Sequence, residues 1–266
     1  MNLLEASFKA ARTGNSGGFI PFIVAGDPDL ETTALLLPAL SKLDPVAIEV
    51  GIPFSDPTAD GPVIQRAAQR ALARGTSLVK ILSLLERFSP NELAPIVLFS
   101  YYNPILQFGI ERFARMAMES GIAGLLVVDL PAEASAPLRE QLGGRHIDLI
   151  FLVAPTTTNA RLKQIARLAS GFIYAVARTG VTGTARELVD ESQKLVRRIR
   201  AVSDLPVAVG FGITTGEQAR RVCRYADAAV IGSRLVLEIE KVTGAKSLRP
   251  AHVVKSVLDC ARKFAV

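Results

Sequence analysis

Apolar positions along this chain follow two alternating rhythms. Short runs of Val, Ile, Leu and Phe close in Gly- or Pro-bearing turns, and between them lie longer segments in which apolar residues recur at helical spacing. The first short run, Gly18 to Pro28, is a buried strand that ends in a turn. The second is Val46 to Val50. The third is Pro95 to Phe99, continued by Ser100-Tyr101-Tyr102-Asn103-Pro104. The fourth, Gly124 to Val128, is closed by Asp129-Leu130-Pro131, and the fifth spans Leu149 to Ala154. Phe172 to Val176, Pro206 to Val209 and Ala228 to Ile231 complete the set.

The intervening segments predict helices. An amphipathic N-terminal helix places Leu3, Leu4, Phe8 and Ala11 on one side. Asp29 and Glu31 lead into a helix that runs through Leu43. Another spans Pro62 to about Ala73, and Ser77 caps one that ends near Phe88. Stripes of Ile110, Phe113, Ala114 and Ala117, and of Leu162, Ile165, Ala166 and Ala169, mark two more, and the tail from about Lys246 is helical. Buried strands alternating with amphipathic helices mean βαβ units and a parallel sheet. Eight such strands in 266 residues predict an α/β fold, a single (β/α)8 TIM barrel with an extra N-terminal helix. No linker or composition shift divides the chain, so residues 1–266 are expected to form one domain.

Composition narrows the function classes. With 49% hydrophobic and 21% charged residues the chain can bury a large core. No apolar run approaches a membrane span, and the N-terminus lacks a signal-peptide core, which predicts a cytoplasmic location; a mature plastid protein would read the same way. Cys223 and Cys260 lack metal-ligand spacing, and His146 and His252 are isolated, so no metal site is expected. The net charge of +6 suits an anionic ligand. The basic residues are dispersed along helices without interleaved aromatics, which argues against nucleic acid.

One stretch departs from the apolar rhythm. Ala47 to Pro62 reads AIEVGIPFSDPTADGP, with Glu49 inside a strand that should be apolar, and Asp56 and Asp60 in the loop that follows. Barrel enzymes place catalytic groups at the C-terminal ends of their strands. The alternative is that Glu49 is paired in the core and the aspartates only close turns. A second signal lies in the last three units. Arg178-Thr179-Gly180-Val181-Thr182-Gly183, Gly210-Phe211-Gly212 and Gly232-Ser233 follow strands six, seven and eight. Glycines there either make tight turns or expose backbone N–H groups to a phosphate, with a short helix opening at Ser233.

The motif E-x-G-I-P-F-S-D-P-x-A-D-G-P, together with S-Y-Y-N-P, R-x-G-V-T-G, G-F-G-I and G-S, resembles the tryptophan synthase alpha subunit family along nearly the whole chain. The resemblance implies retro-aldol cleavage of indole-3-glycerol phosphate to indole and glyceraldehyde 3-phosphate. Glu49 would move both protons and Asp60 would accept the indole N–H. Phe22, Tyr174 and Phe211 would border the indole, Tyr101 would lie near the substrate, and Thr182 would sit on a closing loop. Gly183, Gly212, Gly232 and Ser233 would bind phosphate. It implies no cofactor in this chain, and a pyridoxal-phosphate-dependent beta subunit as partner in an alpha2beta2 heterotetramer.

Several alternatives remain open at this point. One is a stand-alone indole-releasing lyase of the same family, another a different phosphosugar barrel such as an isomerase, and a third a catalytically silent subunit that activates a partner. Arg178 to about Leu188 reads as a mobile lid. Pro53–Thr58 and Tyr102–Phe108 read either as a docking surface or as a rim packed inward. Arg234 departs from the small residue common in the family; it either turns toward an anion or points into water.

Overall fold

The computed structural model describes residues 2–13, 17–89, 91–176, 185–210, 212–243 and 249–265, with the backbone alone for 185–190. Eight parallel strands pair in chain order and close on themselves: β1 (Gly18–Val24), β2 (Ile48–Gly51), β3 (Ile96–Ser100), β4 (Ile122–Val127), β5 (Asp148–Val153), β6 (Ile173–Val176), β7 (Val207–Gly210) and β8 (Ala228–Ile231). Closure is made by β1 and β8, where Gly18 pairs with Ala228 and Pro21 with Ile231. The predicted (β/α)8 barrel is therefore the observed fold.

Among the described residues the helices are α1 (Leu3–Thr13), α2 (Leu30–Ser41), α3 (Pro62–Ala73), α4 (Leu78–Leu85), α5 (Tyr102–Phe108), α6 (Ile110–Glu119), α7 (Ala136–Gly143), α8 (Asn159–Leu168), α9 (Ala185–Arg200), α10 (Gly216–Cys223), α11 (Ser233–Thr243) and α12 (Pro250–Ala261). Several start where the sequence supplies a cap. Asp29 accepts from the Thr32 N–H, and Ser77 and Thr158 do the same for α4 and α8. Thr215 and Gln218 form a reciprocal capping box on α10. Ala185 to Leu188, which the sequence assigns to a lid, form the first turn of α9. The tail helix starts at Pro250, and residues 244–248 lie outside the described set.

Strand alternation divides the core into two shells. Phe19 and Ile23 of β1, Ile48 and Val50 of β2, and Ile96 and Leu98 of β3 face the helices, joined there by Leu36, Leu37 and Leu40 of α2. Ile20, Val97, Leu126, Ile150, Tyr174, Ala208, Ala228 and Val230 fill the barrel interior. The N-terminal helix plugs this interior from the strands' starting ends with Leu4 and Phe8, and Phe8 packs at 5.3 Å on Phe172. It is held there by Arg12 on Asp227 (2.8 Å), Asn2 on Asp148 (2.5 Å) and Ser7 on the Val46 carbonyl (2.7 Å). Gly124 makes room for the plug, since a Cβ there would lie 3.0 Å from Leu4 and 2.7 Å from Ile150. The helix thereby stoppers the starting end of the barrel.

The third unit differs from expectation. Tyr102 to Phe108 form α5 instead of extending β3. The Asp129 carboxylate, from the loop after β4, accepts the Tyr102 N–H at 2.7 Å and caps the helix from another unit.

Candidate active site

The site is centred on Glu49 of β2. In register, Glu49 sits between Phe22 of β1 and Val97 of β3. Because Ile48 and Val50 face the helical layer, Glu49 faces the barrel interior. It is 1% exposed, and neither carboxylate oxygen has a hydrogen-bond partner among the described residues. The reading in which Glu49 is paired in the core finds no partner for it among the described residues. A buried carboxylate without partners resists ionising, and burial raises the Glu49 pKa from 4.5 to about 8. Buried Tyr174 feels the Glu49 charge, and burial followed by that charge pushes its phenol well above the usual range.

Asp60 is positioned differently. It lies in the loop between β2 and α3, half-buried, with its N–H on the Pro57 carbonyl (3.1 Å). Burial raises its pKa from 3.8 to about 6, opposed by a hydrogen bond from the Tyr101 phenol. The same phenol oxygen accepts the Ala59 N–H at 2.9 Å, so Tyr101, directly after β3, pins two consecutive residues of the loop. From the other side, Gln65 of α3 donates to the carbonyls of Asp60 (2.9 Å) and Pro57 (3.4 Å). Phe54 lies over the Tyr101 ring with centroids 5.1 Å apart. Tyr101 thus touches the Asp60 loop directly, a tighter role than proximity to substrate.

Phe22 is packed edge-on against Phe99 (5.3 Å, 77°). It fills the space left by two glycines. A Cβ at Gly51 would come within 2.8 Å of its ring, and one at Gly232 would lie in ordinary contact at 3.6 Å. Tyr174 is seated the same way, because a Cβ at Gly210 would fall 2.0 Å from its hydroxyl. For Gly210 the sequence offers a tight turn or a phosphate contact, and it assigns Gly51 no role beyond breaking the strand. Their spacing function depends on contacts between strands, which no local motif reports.

After β8, Gly232 and Ser233 open α11, and the Gly232 carbonyl takes the first helical bond, from the Leu235 N–H at 2.9 Å. Ser233 is exposed there, beside N–H groups that an isolated helix leaves free. Gly212, at φ 70°, adopts a left-handed turn after β7 that favours glycine. Thr182, Gly183 and Phe211 lie outside the described residues, as does the Arg178–Thr184 part of the lid. Arg234 turns away from this terminus. Its guanidinium bonds Glu238 one turn along α11 at 2.8 Å, and the Ser256 hydroxyl holds the other Glu238 oxygen at 2.9 Å. An anion-holding role for Arg234 is not what the structure gives.

His146 and His252 are exposed, Cys223 is half-buried and Cys260 buried. Among the described residues no group of three His, Cys, Asp or Glu side chains could hold a metal.

The assembled geometry is matched by known proteins. The family model described as Tryptophan synthase alpha chain matches residues 8–264. A tryptophan synthase alpha chain from Neisseria meningitidis serogroup B is 43% identical over 263 residues, 98% of this chain and all of the relative. The crystal structure of tryptophan synthase subunit alpha from Legionella pneumophila str. Paris superimposes with a TM-score of 0.89 at 34% identity, covering 100% of this chain and 97% of that one. A chain of tryptophan synthase from M. tuberculosis, in its aminoacrylate-bound form, gives 0.87 at 30% identity, covering 100% and 98%. With a barrel mouth of this construction and likeness over its full length, the chain belongs to the tryptophan synthase alpha chain family.

Proposed function

We propose that the chain is a lyase that cleaves indole-3-glycerol phosphate to indole and glyceraldehyde 3-phosphate in tryptophan biosynthesis. The observation that carries this reading is Glu49, a buried carboxyl facing the barrel interior, without a partner among the described residues and with a pKa raised to about 8.

Glu49 and Asp60 occupy environments that push them to different protonation states at neutral pH. Glu49, near 8, is mostly protonated, whereas Asp60, near 6, is mostly ionised. Glu49 delivers its proton to indole C3. The bond between C3 and the glycerol chain then breaks as the adjacent hydroxyl gives up its proton and its C–O bond becomes the aldehyde C=O. That proton returns to the Glu49 carboxylate, so the residue ends as it began. Asp60 accepts the indole N–H and stabilises the positive charge that grows on the ring at the protonation step. Phe22, Tyr174 and Phe211 border the indole, with Tyr101 holding the Asp60 loop. Gly183, Gly212, Gly232 and Ser233 bind the phosphate, Thr182 lies on the closing loop, and residues 1–266 act as one domain.

The partner is a tryptophan synthase beta subunit in an alpha2beta2 assembly, which supplies pyridoxal phosphate, while this chain works without a cofactor of its own. The docking surface takes in the mouth segments Pro53–Thr58 and Tyr102–Phe108. Leu106, 49% exposed, is its apolar centre. Ile105 is fully buried and belongs to the core, and Phe54 and Phe108 are half-buried, Phe108 beneath the Arg112 guanidinium at 4.3 Å. Among the described residues no helix is long and apolar enough to cross a membrane; the assembly works in the cytoplasm.

Indole release from indole-3-glycerol phosphate, measured with and without a beta subunit, tests this reading. Cleavage that the beta subunit accelerates is the expected result. Cleavage with no stimulation would favour a stand-alone lyase, and no cleavage in either case would overturn the proposed activity.

A further inference from the structure

Beside the barrel mouth lies a row of four charged side chains that the proposed chemistry does not use. Asp27, in the turn after β1, is fully buried in its side chain and takes a two-pronged contact from Arg70 of α3, Nε to Oδ1 at 2.8 Å and Nη2 to Oδ2 at 2.9 Å. The remaining arm of the same guanidinium, Nη1, donates to Glu240 of α11 at 2.8 Å. Arg66, one turn earlier on α3, grips both oxygens of Glu240 at 2.7 and 2.8 Å. Two positive and two negative charges therefore tie three elements together through five charge-assisted bonds. A planar guanidinium suits this bridge, whereas a lysine ammonium has no fork with which to match it.

The elements it ties are those that carry the two ends of the site. The α3 helix begins two residues after Asp60, and its Gln65 holds the Asp60 backbone. The α11 helix begins at Ser233, beside Gly232 and Phe22. A helix is stiff along its axis, so a clamp between α3 and α11 sets how far their mouth ends stand apart. The Asp27 anchor fixes that spacing against β1, which carries Phe22. Solvated ion pairs contribute little to stability. Here one member is fully buried, and its charge is met by a single guanidinium.

We infer that Arg70 and Glu240 are positioning residues that set the distance between the Asp60 loop and the helix terminus at Ser233. This inference rests on the proposed reading, in which one substrate spans both ends. Its signature is that each half of the substrate still binds when the clamp is broken, while the reaction that needs both halves in place slows.

Two variants test it. Arg70→Lys keeps a positive charge for Asp27 but cannot bridge to Glu240, and Glu240→Gln keeps the shape of a partly exposed residue. For each, kcat/KM of indole release is measured well below the thermal midpoint, alongside separate dissociation constants for glycerol 3-phosphate and for indole. The expected result is a fall in kcat/KM of about tenfold, modest beside what an ångström of misplacement can cause, with both dissociation constants within about twofold of the unmodified chain. The inference is overturned if kcat/KM stays within about twofold in both variants whatever their thermal midpoints. It is equally overturned if glycerol 3-phosphate binding weakens as much as turnover, which would mean that the phosphate end itself was damaged. Should Arg70→Lys fail to fold, Glu240→Gln decides alone. Absence of cleavage by the unmodified chain would count against the proposed activity, and the two failures are distinguishable by that control.

Discussion

Replacing Glu49 by glutamine should change how stability depends on pH, separately from its effect on turnover. The carboxyl is buried, its oxygens have no partners among the described residues, and its pKa rises from 4.5 to about 8 on folding. Below 4.5 the group is neutral in both the folded and unfolded chain and costs nothing. As pH rises, the unfolded chain releases this proton first, so the stability present at low pH is progressively lost until pH passes about 8. Each pH unit between the two values is worth about 1.4 kcal/mol. The loss is therefore about 3 kcal/mol at pH 7 and about 5 kcal/mol well above pH 8, and it grows by about 4 kcal/mol between pH 5 and pH 9. Glutamine cannot ionise. Its buried amide carries an unsatisfied-group cost of about 1–3 kcal/mol, but that cost is the same at every pH and cancels from the comparison. Urea unfolding of both chains at pH 5, 7 and 9, without substrate, should show the variant gaining on the parent by about 4 kcal/mol across the series. A stability difference that stays constant within about 1 kcal/mol would refute the reasoning, because it would mean that Glu49 ionises as easily folded as unfolded.

Other outcomes follow from the same geometry. The pH profile of kcat/KM should rise through about 6 as Asp60 ionises and fall above about 8 as Glu49 loses its proton; a profile flat from 5 to 9 would contradict both assignments. Tyr101→Phe removes the hydrogen bond that lowers the Asp60 pKa, so the acidic limb of that profile should move upward while the basic limb stays. Gly210→Ala places a methyl 2.0 Å from the Tyr174 hydroxyl and should cut turnover by displacing that ring, a shift that a crystal structure of the variant would display directly.

The strands were legible because they are buried on both sides and read as unbroken apolar runs. Glu49 stood out for the same reason, as a charge where the pattern allows none. What stayed hidden depends on contacts between distant units. Tyr101-Tyr102-Asn103-Pro104 has the aromatic content of a strand, yet α5 forms there because Asp129 supplies its cap from the next unit. Gly51 and Gly210 look like ordinary turn glycines until Phe22 and Tyr174 are seen to occupy the space that a side chain would take. Arg234 sits beside the anion motif in sequence, but its partner is Glu238, one turn away along the helix. The row of charges around Arg70 joins Asp27, 43 residues earlier, to Glu240, 170 residues later, and no local pattern announces such a bridge.

The central claim is that Glu49 moves the protons of carbon–carbon cleavage. It is tested most directly by indole release from indole-3-glycerol phosphate at pH 7, comparing the parent chain with Glu49→Gln after circular dichroism has shown both to be folded. Loss of the proton donor and acceptor should lower turnover by at least about a hundredfold. A folded Glu49→Gln chain that releases indole at a near-parental rate would contradict the account.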